Sequence, residues 1–203
     1  MRKGSVNHMN SMQHRPDFTI EVVAENALLL SWQAKISLIQ HNEIIALQAM
    51  LKQQLAELIT ETVASYHCLM VYYCPQLTTS SHVTEQSDKK INSRDDSLKN
   101  APAVVDCIKI PVYYDTEQQW DLADVAKRCN LSIAEVIKQH CAQTYHGYAL
   151  GFTPGFCYLA SLPERLHLAR KASPRTKVPK GAVAIAEQQS AIYPIESPGG
   201  WHI

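Results

Sequence analysis

The last third of the chain holds the residues whose types and spacing could do chemistry. Residues Gly151 to Leu159 read GFTPGFCYL. Glycine permits backbone torsions closed to other residues, and Pro154 fixes one torsion between Gly151 and Gly155. Two readings are open. Either Phe152, Phe156 and Tyr158 alternate along a bent strand and fill a core, or the stretch is a rigid wall for a flat small ligand. In the second case glycine lets backbone N–H groups approach the ligand closely. The stretch is not Gly-x-Gly-x-x-Gly, and it lacks the Gly-Lys-Ser/Thr of a phosphate loop.

Ser173 to Gly181, SPRTKVPKG, sets Arg175, Lys177 and Lys180 among two prolines. It is either a solvated cationic loop or an anion clamp in which Arg175 forks onto a carboxylate or phosphate. Tyr193, Glu196 and the turn Ser197-Pro-Gly-Gly-Trp201 then offer a hydroxyl, a carboxylate and an aromatic ring in one short span. Glu196 reads as a surface residue or as a general base. His140 and His146 lack ligand spacing, His67 lies in an apolar run, and no Gly-x-Ser-x-Gly elbow is present. Cys157, amid Phe156 and Tyr158, reads as a packed thiol rather than a nucleophile. These residues point to a ligand or partner surface without naming a reaction.

The elements that must position them follow from local pattern. Residues 1–16 are polar and mixed and read as a disordered leader. FTIEVV and ALLLSW, separated by Glu25-Asn26, predict a strand, a turn and a second strand. Ile44, Leu47, Leu51, Leu55 and Leu58 recur at helical steps, and Ser37 is the expected N-cap. Cys68 to Cys74 reads as a central strand ended by Pro75. Residues 77–103 carry almost no large apolar side chain and read as a polar linker or insertion between two domains.

The second half is expected to open with a strand from Val104 to Tyr114. Asp121 should cap a short helix that Asn130 ends in a left-handed turn. Ser132 and Glu135 form a capping box for another helix running to about Cys141. Beyond Tyr145, short apolar runs between Pro and Gly punctuation predict a small β-barrel or sandwich.

Composition narrows the function classes. The chain has 203 residues, 46% hydrophobic and 19% charged, with 19 basic and 19 acidic side chains. That is a globular composition with no basic footprint for nucleic acid. No run approaches a membrane span, and no secretory signal stands at the N-terminus. Six cysteines without Cys-x-x-Cys spacing read as reduced thiols, so the expectation is a cytoplasmic, metal-free protein.

GFTPGFCYLASLPERL followed by ASPRTKVPKGAVAIAEQQSAIYPIESPGGW closely resembles the allophanate hydrolase subunit 1 family. That family includes the B subunit of the bacterial ATP-dependent 5-oxoprolinase and the KipI-type inhibitor of a sporulation histidine kinase. ALLLSW, CLMVYY and IPVYYD…DLADVAKRCNLSIAEVIKQH match the family's order, so the resemblance covers about residues 18–76 and 104–203. It implies an α+β chain: a ferredoxin-like domain over 17–76, then a cyclophilin-like β-barrel over 104–203. It stops at Ile203, where family members continue for roughly another strand pair, so a C-terminally truncated barrel is expected.

The resemblance further implies cleavage of 5-oxoproline to glutamate with ATP hydrolysis, together with two further 5-oxoprolinase proteins. These are the C subunit, a second cyclophilin-like protein, and the A subunit. ATP would be held by this chain or by the complex. In that setting Arg175 and Glu196 are the expected catalytic residues. Phe152, Pro154, Gly155, Tyr158, Lys177, Tyr193, Ser197, Gly199 and Gly200 are the expected substrate or nucleotide contacts. The alternatives are a kinase inhibitor that needs only a surface and an inactive, shortened family member.

Overall fold

The computed structural model describes residues 18–92, 107–117 and 120–203. Its first half pairs β1 (Phe18–Ala24) with β2 (Ala27–Trp32) as an antiparallel hairpin around Glu25-Asn26. Helix α1 (Leu38–Gln54) follows, and the Gln40 N–H donates to Ser37 Oγ at 3.4 Å, as the cap assignment expects. Next come β3 (Ile59–Ala64) and β4 (Cys68–Tyr73). The sheet order is β1-β2-β4-β3, all antiparallel, so β4 is central, as its apolar density implies.

Alternation decides which face of this sheet is wet. Leu69, Val71 and Tyr73 of β4 are buried with Leu28 and Leu30 of β2 against Ile44, Leu47 and Leu51 of α1. A side-chain period of two on the strands thus meets a helical period on α1. Burying a leucine in such a core is worth roughly 1.5–3 kcal/mol, which is what fixes the register.

The stretch read as a polar linker holds a helix, α2 (Ser80–Asn92). One apolar residue suffices to dock it: Val83 is fully buried and joins the sheet-and-α1 core. A composition average hides one well-placed valine. The expected leader (1–16), the far end of the linker region (93–103) and the start of the strand expected from Val104 (104–106) lie outside the described residues.

The strand expected from Val104 to Tyr114 is not formed over its described part, 107–114, which has no regular secondary structure. Ile108, Ile110 and Tyr113 there are exposed. The alternation is real, yet no neighbouring strand pairs with it among the described residues. Helices α3 (Leu122–Arg128) and α4 (Ile133–Cys141) come next, with Asn130 left-handed at φ 54° and the Ser132–Glu135 capping box made in both directions. Asp121 stands at the α3 N-cap position without making the side-chain cap bond expected of it; its carboxylate is engaged elsewhere.

The remainder forms two antiparallel sheets. Strands β5 (His146–Leu150), β6 (Cys157–Ala160), β8 (Val183–Ala186) and β9 (Gln189–Ile192) make a sheet of order β5-β6-β9-β8. Strands β7 (Arg175–Val178) and β10 (Ser197–Gly199) make a two-stranded one. The architecture is a mixed α/β chain with several antiparallel sheets, and no closed barrel forms among the described residues.

Candidate functional site

The GFTPGF segment is a turn between β5 and β6, not an extended strand. The Thr153 N–H donates to Gly151 O at 2.9 Å and the Phe156 N–H to Thr153 O at 3.0 Å. Gly155 takes φ +83°, as glycine does readily, but Phe152 also sits at φ +68°. Left-handed backbone at a bulky residue costs on the order of 1–2 kcal/mol, so surrounding contacts must hold Phe152 there.

Those contacts are aromatic. Phe156 meets Phe152, Tyr158 and Tyr193 with ring centroids 5.3, 4.9 and 5.3 Å away, all edge-on, and Trp201 at 6.0 Å. Tyr158 and Trp201 are themselves 6.0 Å apart. Edge-to-face geometry places the positive rim of one ring on the negative face of the next. Phe156 is buried core together with Tyr193 and Trp201, as the core reading expects, while Phe152 is 58% exposed. Gly199 on β10 completes the fit, since a Cβ there would run into the Tyr193 hydroxyl.

Thus Phe152, Pro154, Gly155, Tyr158, Tyr193 and Gly199 converge, with Gly155 beside Pro194. Ser197 is buried on β10 opposite Val178, and its Oγ has no hydrogen-bond partner among the described residues. Gly200 contributes its carbonyl, which accepts from the Lys171 N–H at 2.8 Å. Lys177 and Glu196 pair with each other at 3.3 Å on the exposed surface. A surface pair of that kind contributes little.

Arg175 is tied to a buried acid through one nitrogen, and its Nη1 is buried with no partner among the described residues. Its Nη2 donates to Asp121 Oδ1 at 2.7 Å, and the guanidinium lies 5.6 Å from the centre of the Trp120 ring. Lys171 Nζ donates to the same oxygen at 2.7 Å, and the Ile203 N–H donates to Asp121 Oδ2 at 3.0 Å. Burial of Asp121 opposes its charge, but the hydrogen bonds from Arg175, Lys171 and Ile203 outweigh it and hold the carboxyl at about 2. This is why Asp121 leaves the helix cap unmade.

Two residues that no motif marks join the aromatic group. The Arg170 guanidinium lies 5.8 Å from the centre of the Trp201 ring. Tyr66, in the β3–β4 turn, stacks on Tyr148 of β5 at 5.3 Å and 13°, while His41 of α1 packs on the same Tyr148 at 4.8 Å. The Tyr66 hydroxyl is buried with no hydrogen-bond partner among the described residues. Burial pushes its pKa up, Tyr158, Cys157 and Tyr148 add to the shift, and the charge of Arg170 opposes it. Tyr193 is raised by burial and opposed by Arg170 and Arg175 in the same way. Burial also raises Cys157, keeping it a thiol.

A separate apolar cavity of about 310 Å³ is walled by 111–115, α3, α4 and β8, with His140 and His202 on its rim. None of the site residues expected from sequence lines it. Tyr114 Oη and His140 Nδ1 are 2.6 Å apart, and burial lowers the His140 pKa. Among the described residues no group of three His, Cys, Asp or Glu side chains could hold a metal. No helix among them is long and apolar enough to cross a membrane. Among the cations, Lys171 Nζ and Arg175 Nη2 are bound to Asp121 and Lys177 to Glu196, while Arg175 Nη1 is buried with no partner among the described residues.

Residues 18–203 match the family model for the carboxyltransferase domain, subdomains C and D. A protein of Haemophilus influenzae, named as the B subunit of 5-oxoprolinase, is 48% identical over 96 residues, 47% of this chain and 45% of its own length. The matched stretch is thus under half of that relative. The Bacillus subtilis protein of the same name is 31% identical over 92% of this chain and 80% of its own length. Among solved structures, TTHA0988 superposes with a TM-score of 0.71 at 34% identity, covering 87% of this chain and 33% of that one. The urea amidolyase of K. lactis shares the fold at a TM-score of 0.66 and 13% identity, over 93% of this chain and 13% of the enzyme.

Proposed function

The chain belongs to the carboxyltransferase-domain family of subdomains C and D, and from that membership we propose that it is the B subunit of a 5-oxoprolinase. The observation that carries this reading is the alignment, over 92% of this chain, with the Bacillus subtilis protein of that name. In the proposed reaction 5-oxo-L-proline and water give L-glutamate while ATP and water give ADP and phosphate. Amide resonance makes the lactam carbonyl a poor electrophile, so the ring needs activation before water can open it. We assign ATP to the complex, with the C and A subunits as partners in the cytoplasm.

This chain's share of the work is to hold the ring. Phe152 and the half-buried Tyr158 present aromatic surface, the buried Trp201 backs Tyr158, and Tyr193, seated against Gly199, fixes the wall. Arg175 acts on this site through Asp121 and β7 rather than on the substrate. Glu196 and Lys177 stand at its solvent edge. We read the first sheet as ferredoxin-like, because β2-α1-β3-β4-α2 carries the split βαβ pattern with β1 added at the β2 edge. We read the second region, from 104 onward, as cyclophilin-like, with the boundary between domains inside 77–103.

Reconstitution tests the reading. The chain mixed with its cognate C and A subunits should release glutamate from 5-oxo-L-proline only when ATP is present. Equal turnover by those two proteins without this chain would overturn it.

A further inference from the structure

Resting on that reading, we propose that Arg170, held on Trp201, takes the carboxylate of the substrate, with the Tyr66 hydroxyl as a second donor supplied by the first half of the chain. Residue type and spacing give the anion-binding role to Arg175, whose Nη2 is bound to a buried acid and whose Nη1 is itself buried, with no partner among the described residues. Arg170 is placed differently. Its acidic neighbour, Glu187, stands 3.9 Å from Nε, outside hydrogen-bond reach, and both side chains are more than half exposed. Trp201 holds the guanidinium by its ring face. A cation–π contact fixes an arginine without using its N–H groups, so the planar fork stays available for the two oxygens of a carboxylate.

Tyr66 supplies the second observation. A buried hydroxyl without a partner forfeits its water and gains nothing in return, a state that a ligand oxygen would relieve. Tyr148, on which Tyr66 stacks, lies on β5 paired with β6, and Tyr158 of β6 packs on the Trp201 ring that holds Arg170, whose charge also acts on the Tyr66 hydroxyl. Tyr66 reaches that locale because its ring stacks on the buried Tyr148 of β5. The ligand class that fits is a small ring bearing one carboxylate, laid against the half-buried Tyr158 and the exposed Phe152. A neutral lactam lacks the group that Arg170 recognises, and the site would discriminate against it.

The test titrates the full chain with three probes, 5-oxo-L-proline, 2-pyrrolidinone and inorganic phosphate, by calorimetry. 5-Oxo-L-proline should bind at least about tenfold more tightly than 2-pyrrolidinone, the worth of one charge-assisted contact, and phosphate should not compete. Arg170→Gln should remove that preference, Arg170→Lys should restore part of it, and Tyr66→Phe should weaken binding about threefold to tenfold. Equal affinity for the two lactams, binding by Arg170→Gln at the wild-type level, or phosphate displacing 5-oxo-L-proline would each overturn the proposal. In the reconstituted complex, Arg170→Gln should raise KM with kcat little changed. An unchanged KM there sinks the carboxylate role while leaving the 5-oxoprolinase assignment intact. A wild-type complex without turnover sinks the assignment, and the titration still decides the site.

Discussion

Arg170 and Arg175 stand five residues apart, the first in the loop before β7 and the second at the start of β7, and each lies over a tryptophan ring, Trp201 and Trp120 respectively. What separates them is the acid each one meets. Asp121, beside Arg175, is 7% exposed and takes three donors, whereas Glu187, near Arg170, is 59% exposed and out of hydrogen-bond range. A buried carboxylate binds its partner into the fold, because removing one member would strand the other's charge. An exposed one leaves the guanidinium to water or to a ligand. Residue type alone therefore does not assign an arginine to a site; the burial of its counter-ion does.

The contrast breaks most visibly in stability. Arg175→Gln should cost about 3 kcal/mol in chemical denaturation, since it leaves Asp121 buried with one cation fewer. Arg170→Gln should stay within about 0.5 kcal/mol, as an exposed side chain whose ion pair with Glu187 is long and open to solvent. Comparable losses in the two variants would erase the distinction.

Acid sharpens the same contrast. The folded Asp121 carboxyl is held at about 2, below its ordinary 3.8. A depressed acid contributes stability that is present above the unfolded value and is lost as pH falls through the folded one. Between about pH 4 and pH 2 the chain should lose roughly 2 kcal/mol through this group. Asp121→Asn should flatten that limb of the profile, at a lower overall stability. An acid limb that persists unchanged in Asp121→Asn would show that other carboxylates carry it.

Gly199→Ala probes the wall that both arginines border. Its Cβ meets the Tyr193 ring as well as the hydroxyl, at 2.9 Å from Cζ, so Tyr193→Phe should not rescue it. A loss of about 1–3 kcal/mol is expected from this overpacking. The smallest expected effect belongs to Glu187→Gln, which should leave stability within about 0.5 kcal/mol and the affinity for 5-oxo-L-proline unchanged or slightly tighter.

Local signals are legible in the sequence. The Glu25-Asn26 hairpin, the Ser37 cap, the Ser132–Glu135 capping box and the Asn130 turn each depend on residues within four positions of one another, and all are formed. Features that depend on distant partners are not. Strand β3 gives no clear signal because ITETVA buries little beyond Thr62. Helix α2 docks through Val83 inside a polar run, and 107–114 alternates like a strand without a partner to pair with among the described residues. Asp121 looks like a cap because its place before LADVAKR is local, while its three donors come from 50 to 82 residues away.

The site divides in the same way. The aromatic members are visible because GFTPGFCYL and SPGGW are dense motifs. Arg170 lies just ahead of the SPRTKVPKG window, and only its approach to Trp201 marks it. Tyr66 carries no motif at all, and its part in the site rests on the stack with Tyr148 across the two halves.

One paired measurement bears most directly on the division of labour between the two arginines. It takes KM for 5-oxo-L-proline in the reconstituted complex, alongside the denaturation midpoint, for Arg170→Gln and Arg175→Gln. For Arg170→Gln, KM should rise about tenfold with an unchanged midpoint, the loss of one charge-assisted contact. For Arg175→Gln, the midpoint should fall while KM stays near wild type in the folded fraction. A stable Arg175→Gln variant with a raised KM, beside an Arg170→Gln variant that turns over normally, would contradict that division.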